Sequence, residues 1–167
     1  MNIVEKANPA DEIVPGLLLG SRYAALNETY LKEKRVVSIF NCTKDIIFLP
    51  CVKRQFRVPV DDNLEEAEIR NLELWSYEIV YKIAHELRHA KEKNGTVLVH
   101  CAAGMQRSAA SVAMYLIAFH GKTTDEAIEY IQSKRSIAFR PSANFEQSIR
   151  GFEAAFYRDV KPKLNVS

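Results

Sequence analysis

Glycine and proline are scarce in this chain, six of each in 167 residues, which leaves no material for a collagen-like, low-complexity or linker segment. Cysteine is scarcer still. Cys42, Cys51 and Cys101 form an odd set with no CxxC pair, a poor framework for disulfides and for zinc, so reduced thiols are expected. An excess of one charge is also missing: 23 Lys and Arg against 21 Asp and Glu leave +2, too little to suggest a nucleic-acid or membrane partner. The longest apolar stretch, 108–120, is too short to span a bilayer. The first residues carry Glu5, Lys6, Asp11 and Glu12 and do not read as a signal peptide. The expectation is one soluble domain in the cytoplasm or nucleus. What the chain does have is core material, 47% hydrophobic residues, in a length that suits a single core.

The apolar residues are arranged to alternate strand with helix. Leu17-Leu18-Leu19, after the Pro15-Gly16 turn, and Val36 to Asn41 read as buried strands, and 55–60 reads as another. A short polar helix is expected over 27–34. Leu72, Trp75, Ile79, Ile83, Leu87 and Ala90 recur every three or four residues, predicting an amphipathic helix over 69–93 closed by Asn94-Gly95. Val97-Leu98-Val99 is apolar on both faces, as central parallel strands are. Residues 108–119 are apolar all round and predict a buried helix. Thr123 and Glu126 form a capping box for a helix to about Arg135, and Ser142 is a candidate N-cap for a last helix reaching Tyr157. The tail from Lys161 onward reads as frayed. The pattern implies an α/β fold around a central, mainly parallel, twisted sheet flanked by helices.

The chemistry is concentrated in His100-Cys101-Ala102-Ala103-Gly104-Met105-Gln106-Arg107-Ser108, between a buried strand and a buried helix. Open α/β sheets bind ligands at such junctions. A turn of small residues there directs backbone N–H groups of Ala102, Ala103, Gly104, Met105 and Gln106 into one concavity, and the helix start adds positive potential. Such a cradle takes a tetrahedral dianion. Gly104 is suited to a backbone angle that a side chain disfavours. Cys101 at its mouth is expected to ionise well below the ~8.5 of a free cysteine and act as a nucleophile. Arg107, six residues on, has the fork to hold two phosphate oxygens and their transition-state charge. Ser108 is placed to donate a hydrogen bond to the sulfur. A lone buried cysteine is commonly inert packing, but here the HCxxGxxR spacing and the strand-to-helix setting agree. A departing alkoxide or phenolate also needs a proton, and the acidic stretch 61–66 offers Asp61 and Asp62.

HCAAGMQRS resembles the signature of the protein tyrosine phosphatase superfamily, and the remainder is similar to its compact dual-specificity branch. Ile13-Val14-Pro15-Gly16-Leu17-Leu18-Leu19-Gly20 resembles that branch's opening strand, 113–117 its AYLI-type helix, and Lys134-Arg135-Ser136-Ile137 with Pro141 and Phe145 its closing segment. The resemblance implies a catalytic domain over 13–157, with an N-terminal extension over 1–12 and a tail over 158–167. It implies no cofactor and no metal, and a phosphorylated protein as partner. Family members read P-[IV]-x-D at the acidic stretch, which makes Asp62 of Pro59-Val60-Asp61-Asp62 the implied general acid. Two departures stand out: Gln106 is bulkier than the residue common there and is expected to narrow the pocket or touch phosphate, and Pro141-Ser142 replaces the family's Pro-Asn, with one extra residue before it.

The resemblance implies a phosphatase for phosphotyrosine and phosphoserine or phosphothreonine working through phosphocysteine. The same chemistry on a phosphoinositide or RNA 5′-triphosphate is an alternative, disfavoured by the neutral Ala102, Ala103, Met105 and Gln106. A non-catalytic phosphopeptide-binding module is a second alternative, disfavoured because Cys101 and Arg107 are both kept. His85-Glu86-Leu87-Arg88-His89 matches a zinc-protease pattern but is expected to lie on a solvated helix face. Cys42, ending a strand, is a candidate to pair with Cys101 on oxidation, and Arg140 a candidate to hold substrate at the site mouth.

Overall fold

The computed structural model describes residues 2–164. In chain order the elements are α1 (Ile3–Lys6), β1 (Ala10–Val14), β2 (Leu17–Gly20), α2 (Arg22–Ala25), α3 (Glu28–Glu33), β3 (Val36–Asn41), β4 (Arg54–Arg57), α4 (Glu66–Glu92), β5 (Thr96–His100), α5 (Arg107–His120), α6 (Thr124–Lys134), α7 (Glu146–Ala155) and, after a π-helical turn over Phe156–Val160, α8 (Lys161–Leu164). The five strands form one sheet in the order β1-β2-β5-β3-β4. β1 and β2 pair antiparallel; β2, β5, β3 and β4 run parallel.

Alternation along the strands divides the core between the two faces of the sheet. Leu17 and Leu19, Val97 and Val99, and Phe40 point to the side covered by α4, α5, α6 and α7. Leu18, Leu98 and Ile39 point to the other side, against Ala24, Ala25 and Leu31 of α2 and α3. The apolar sequence of α5 has the expected result: every residue from Ser108 to Ile117 is buried. The helix closes at Gly121, whose φ of 65° is the left-handed cap that glycine adopts without strain. The Thr123/Glu126 capping box opens α6 with both hydrogen bonds formed. Among the described residues, no helix is long and apolar enough to cross a membrane.

Four local expectations are corrected. The segment read as an extension over 1–12 contributes β1, whose buried Ala10 and Ile13 are out of simple alternation because the register shifts between Glu12 and Val14. The strand expected over 55–60 is Arg54–Arg57: Val58 still donates to Asn41 O (2.9 Å), but Pro59 has no N–H and the chain leaves the sheet. Ser142 does not cap α7, which starts at Glu146 after Phe145. The tail is helical to Leu164, anchored by buried Phe156 and by the Tyr157 hydroxyl on Lys122 O (3.0 Å); residues 165–167 of that tail lie outside the described residues.

The HExxH-like segment is not uniformly solvated. His85 is exposed, but Glu86 faces inward, where Arg54 grips it with Nε at 2.6 Å and Nη2 at 2.7 Å and Ser38 donates its hydroxyl. This pair ties α4 to β3 and β4. Chiefly through the Arg54 hydrogen bonds, the Glu86 carboxyl is held below the usual carboxylate range. Glu86→Ala is expected to lower stability near neutral pH, since it removes the acceptor of the buried Ser38 hydroxyl and of the part-exposed Arg54 guanidinium. A group with a depressed folded-state pKa stabilises above its unfolded value (~4.3) and ceases to do so as pH falls through the folded one. The gap between wild type and variant in denaturant titrations is therefore expected to narrow below about pH 4.

Candidate active site

β5 lies at the centre of the sheet, and the chain beyond its carboxyl end forms the turn Cys101–Gln106 before entering α5. Four successive carbonyls of that turn are held from outside. Ala102 O accepts from the Arg22 amide (3.0 Å), Ala103 O from Arg135 Nη2 (3.2 Å), Gly104 O from Arg135 Nε (2.9 Å) and Met105 O from the Phe139 amide (2.8 Å). Because each peptide's N–H points away from its C=O, drawing the oxygens outward turns the hydrogens toward the concave side. Gly104 has φ of 69°, and a Cβ there would lie 2.5 Å from Gly20 O and 2.9 Å from Arg135 Nη2, so the turn passes where only glycine fits.

Arg135, 1% exposed, is the hub of this arrangement. Its Nη1 also reaches Asn8 O (2.8 Å) and Asp11 Oδ2 (2.9 Å), so its charge is paired and four of its bonds are to named acceptors. The geometry of the turn is thus braced from the end of α6 and from the start of β1.

Cys101 is buried, with Sγ 3.1 Å from Ser108 Oγ. Burial alone raises a thiol's pKa, but the Arg107 charge, the Ser108 hydroxyl and the amides of Ser108 and Gly104 outweigh it and hold the group below its ordinary value. Arg107 donates from Nη1 to Val60 O (2.9 Å), while its buried Nε has no partner among the described residues. An unsatisfied buried donor on the wall of a cleft is capacity for a ligand oxygen. His100 contributes differently: its Nδ1 donates to Cys101 O (3.1 Å), and burial, with the Arg57 and Arg107 charges, pulls its pKa to about 4, so the ring is neutral.

The turn opens on a cleft of about 470 Å³ walled by Arg22, Ala102 and Arg107 and, on the acidic side, by Asp45, Asp61 and Asp62. Both candidate acids are therefore at the same opening, but they differ in company. Asp61 is ion-paired to Lys44 (3.1 Å), which also holds Glu68 (2.7 Å). Asp62 has no cation partner among the described residues; its Oδ1 accepts from Asn144 Nδ2 (2.9 Å).

Gln106 departs from expectation. It is buried and turned away from the cleft, donating to Arg140 O (3.1 Å) and Ser142 O (2.8 Å) and accepting from the Asn144 amide (2.9 Å). The Arg140 guanidinium bends back to Ser136 O (3.3 Å) and is not part of the cleft wall. Cys42 lies beside the site, its amide on His100 O (2.8 Å) and its sulfur 3.6 Å from Ser111 Oγ. Burial pushes its thiol up to about 12, and all three cysteines are free. Sequence reasoning missed Arg135, Asp11 and Asn144 as parts of the site. An arginine at a helix end reads as exposed, and nothing local marks its burial.

The family model described as the dual specificity phosphatase catalytic domain matches residues 17–155. Dual specificity protein phosphatase 1 of Arabidopsis thaliana is 35% identical over 141 residues, covering 84% of this chain and 67% of the relative. The human protein phosphatase Slingshot homolog 3 is 30% identical over 159 residues, 90% of this chain but 22% of the relative, so the chain spans about a fifth of that protein. The crystal structure of human DUSP28 superposes with a TM-score of 0.74 at 26% identity, over 90% of this chain and 96% of that one.

The bonds around Cys101 predict its titration. In iodoacetamide alkylation followed against pH, the wild-type midpoint is expected below that of a free cysteine, and Ser108→Ala to raise it by roughly one to two pH units, the value of a hydrogen bond to a charged group. Arg135→Lys, which cannot span two carbonyls with one planar fork, is expected to raise it as well.

Proposed function

The chain belongs to the dual specificity phosphatase family, and on that premise we propose that it hydrolyses phosphotyrosine and phosphoserine or phosphothreonine in proteins through a phosphocysteine intermediate. The observation that carries this reading is the turn itself: amides and a guanidinium converge on a sulfur whose pKa is depressed in spite of its burial.

In the first step Cys101 Sγ attacks phosphorus, forming the S–P bond as the ester P–O bond breaks. Arg107, with a buried Nε free to donate, and the amides from Ala102 to Gln106 bind the equatorial oxygens, whose charge is largest in the transition state. Asp62 delivers its proton to the departing oxygen. In the second step Asp62, now ionised, takes a proton from water as that water attacks phosphorus; the S–P bond breaks, and the Ser108 hydroxyl, 3.1 Å from the sulfur, supports the returning thiolate. Asp62 suits the acid role better than Asp61, whose carboxylate is already committed to Lys44.

Protein phosphoesters suit the cleft better than a phosphoinositide or RNA 5′-triphosphate. The turn adds no lysine, and Asp45, Asp61 and Asp62 at the opening oppose a polyanion. A reducing compartment, cytoplasm or nucleus, suits a nucleophile that must remain a free thiolate.

Cys101→Ser is expected to abolish turnover while the cradle still binds phosphate esters; hydrolysis near the wild-type rate would exclude this nucleophile. Asp62→Ala is expected to reduce kcat/KM, which reports the first step, roughly a hundredfold or more on alkyl phosphates, and far less on aryl phosphates whose leaving groups need no proton. If Asp61→Ala gives that pattern instead, the acid is Asp61. Initial rates on phosphotyrosine peptides, phosphothreonine peptides, a phosphoinositide and a triphosphorylated RNA are expected to favour the two peptides.

A further inference from the structure

The loop between β4 and α4 that carries Asp62 has no regular structure of its own, so whatever orients the carboxyl must come from elsewhere. Most of its ties hold residues before Asp62. Asn71 Nδ2 donates to Pro59 O (3.1 Å), Arg107 Nη1 to Val60 O (2.9 Å), and the Asp61 amide to Glu68 Oε2 (3.0 Å). Among the described residues the Asp62 side chain itself has one partner, the side-chain amide of Asn144 at 2.9 Å. Asn144 is in turn fixed to the phosphate-binding turn, since its backbone N–H donates to Gln106 Oε1 (2.9 Å). Gln106 cannot swing: it is buried, both of its Nε2 bonds are to the carbonyls of Arg140 and Ser142, and its own carbonyl accepts from Ala110 in α5 (2.8 Å). A continuous path therefore runs from the turn through Gln106 and Asn144 to Asp62, joining positions 82 residues apart at its last link.

We infer that Asn144 is a positioning residue for the general acid, holding Asp62 in register with the phosphate-binding turn through Gln106. The inference rests on the reading of Asp62 as the acid. The chemistry follows from which oxygen is used. With Oδ1 occupied as acceptor of the Asn144 N–H, the transferable proton sits on Oδ2, and that oxygen is the one left to face the leaving group and later the attacking water. Asn144 touches neither substrate nor reacting atom in this arrangement. It acts by removing the freedom of a carboxyl that stands in an irregular, exposed loop, and a small misplacement of a proton donor costs rate out of proportion to the energy of the bond that prevents it.

The test is Asn144→Ala, which keeps the backbone N–H bonded to Gln106 and removes only the link to Asp62. On an alkyl phosphate, kcat is expected to fall roughly tenfold. KM, the value of kcat/KM on an aryl phosphate with an activated leaving group, which reports only the first step, and the pH midpoint of Cys101 alkylation are expected to stay at their wild-type values. A merely structural role would move all of these together. In an Asp62→Ala background, the same substitution is expected to have no further effect on kcat, because the two residues act as one unit. Unchanged kcat on the alkyl phosphate, or an additive loss in the double variant, overturns the inference. Failure of the premise is distinguishable: Asp62→Ala alone would then lack the leaving-group dependence, whatever Asn144→Ala does.

Discussion

A peptide unit cannot point its oxygen and its hydrogen the same way, and the site depends on this constraint more than on any single side chain. To gather several N–H groups around one sulfur, the turn after β5 must send its carbonyls into the protein and find a donor for each. The rest of the fold supplies those donors from separate places: the start of α2, the end of α6 and the segment after it. The catalytic signature is therefore only the inner half of the structure it names. The outer half comes from residues with no chemistry of their own.

Two cysteines show what that outer half accomplishes. Cys42 and Cys101 follow paired positions on neighbouring strands, Asn41 beside His100, and both are buried. Burial takes the first to about 12, while the second is held below its ordinary value. Desolvation is the largest influence on both thiols. The difference lies in Arg107, Ser108 and the inward amides, which Cys42 lacks except for one hydroxyl and a more distant charge. Reactivity here follows from what surrounds each sulfur, not from its exposure.

Much of this was legible from the amino-acid pattern. Uniformly apolar strands and the all-round apolar α5 identified a sheet buried on both faces, because burial leaves a periodic mark. The turn at Cys101 was legible because its chemistry requires particular residue types at fixed spacing. Gln106 was legible as part of the turn but not in the buried role of its side chain, and Arg135 and Asn144 were not legible as parts of the site. Their partners are backbone atoms or residues as far off as 124 positions, in the case of Arg135 and Asp11, and backbone acceptors leave no trace in composition. Glu86 misled for the opposite reason, since a glutamate beside an exposed histidine looks solvated until Arg54 and Ser38 are seen beneath it. The irregular register of β1 hid a strand whose polar residues serve the site and not the sheet alone.

Arg135 draws its counter-charge from Asp11 and a further acceptor from Asn8, both of which precede the span matched by the family model, 17–155. A fragment trimmed to that span would leave a desolvated guanidinium with no anion, wedged against the turn it is meant to brace. The span matched by the family model thus leaves out Asp11, the counter-charge of the arginine that braces the turn.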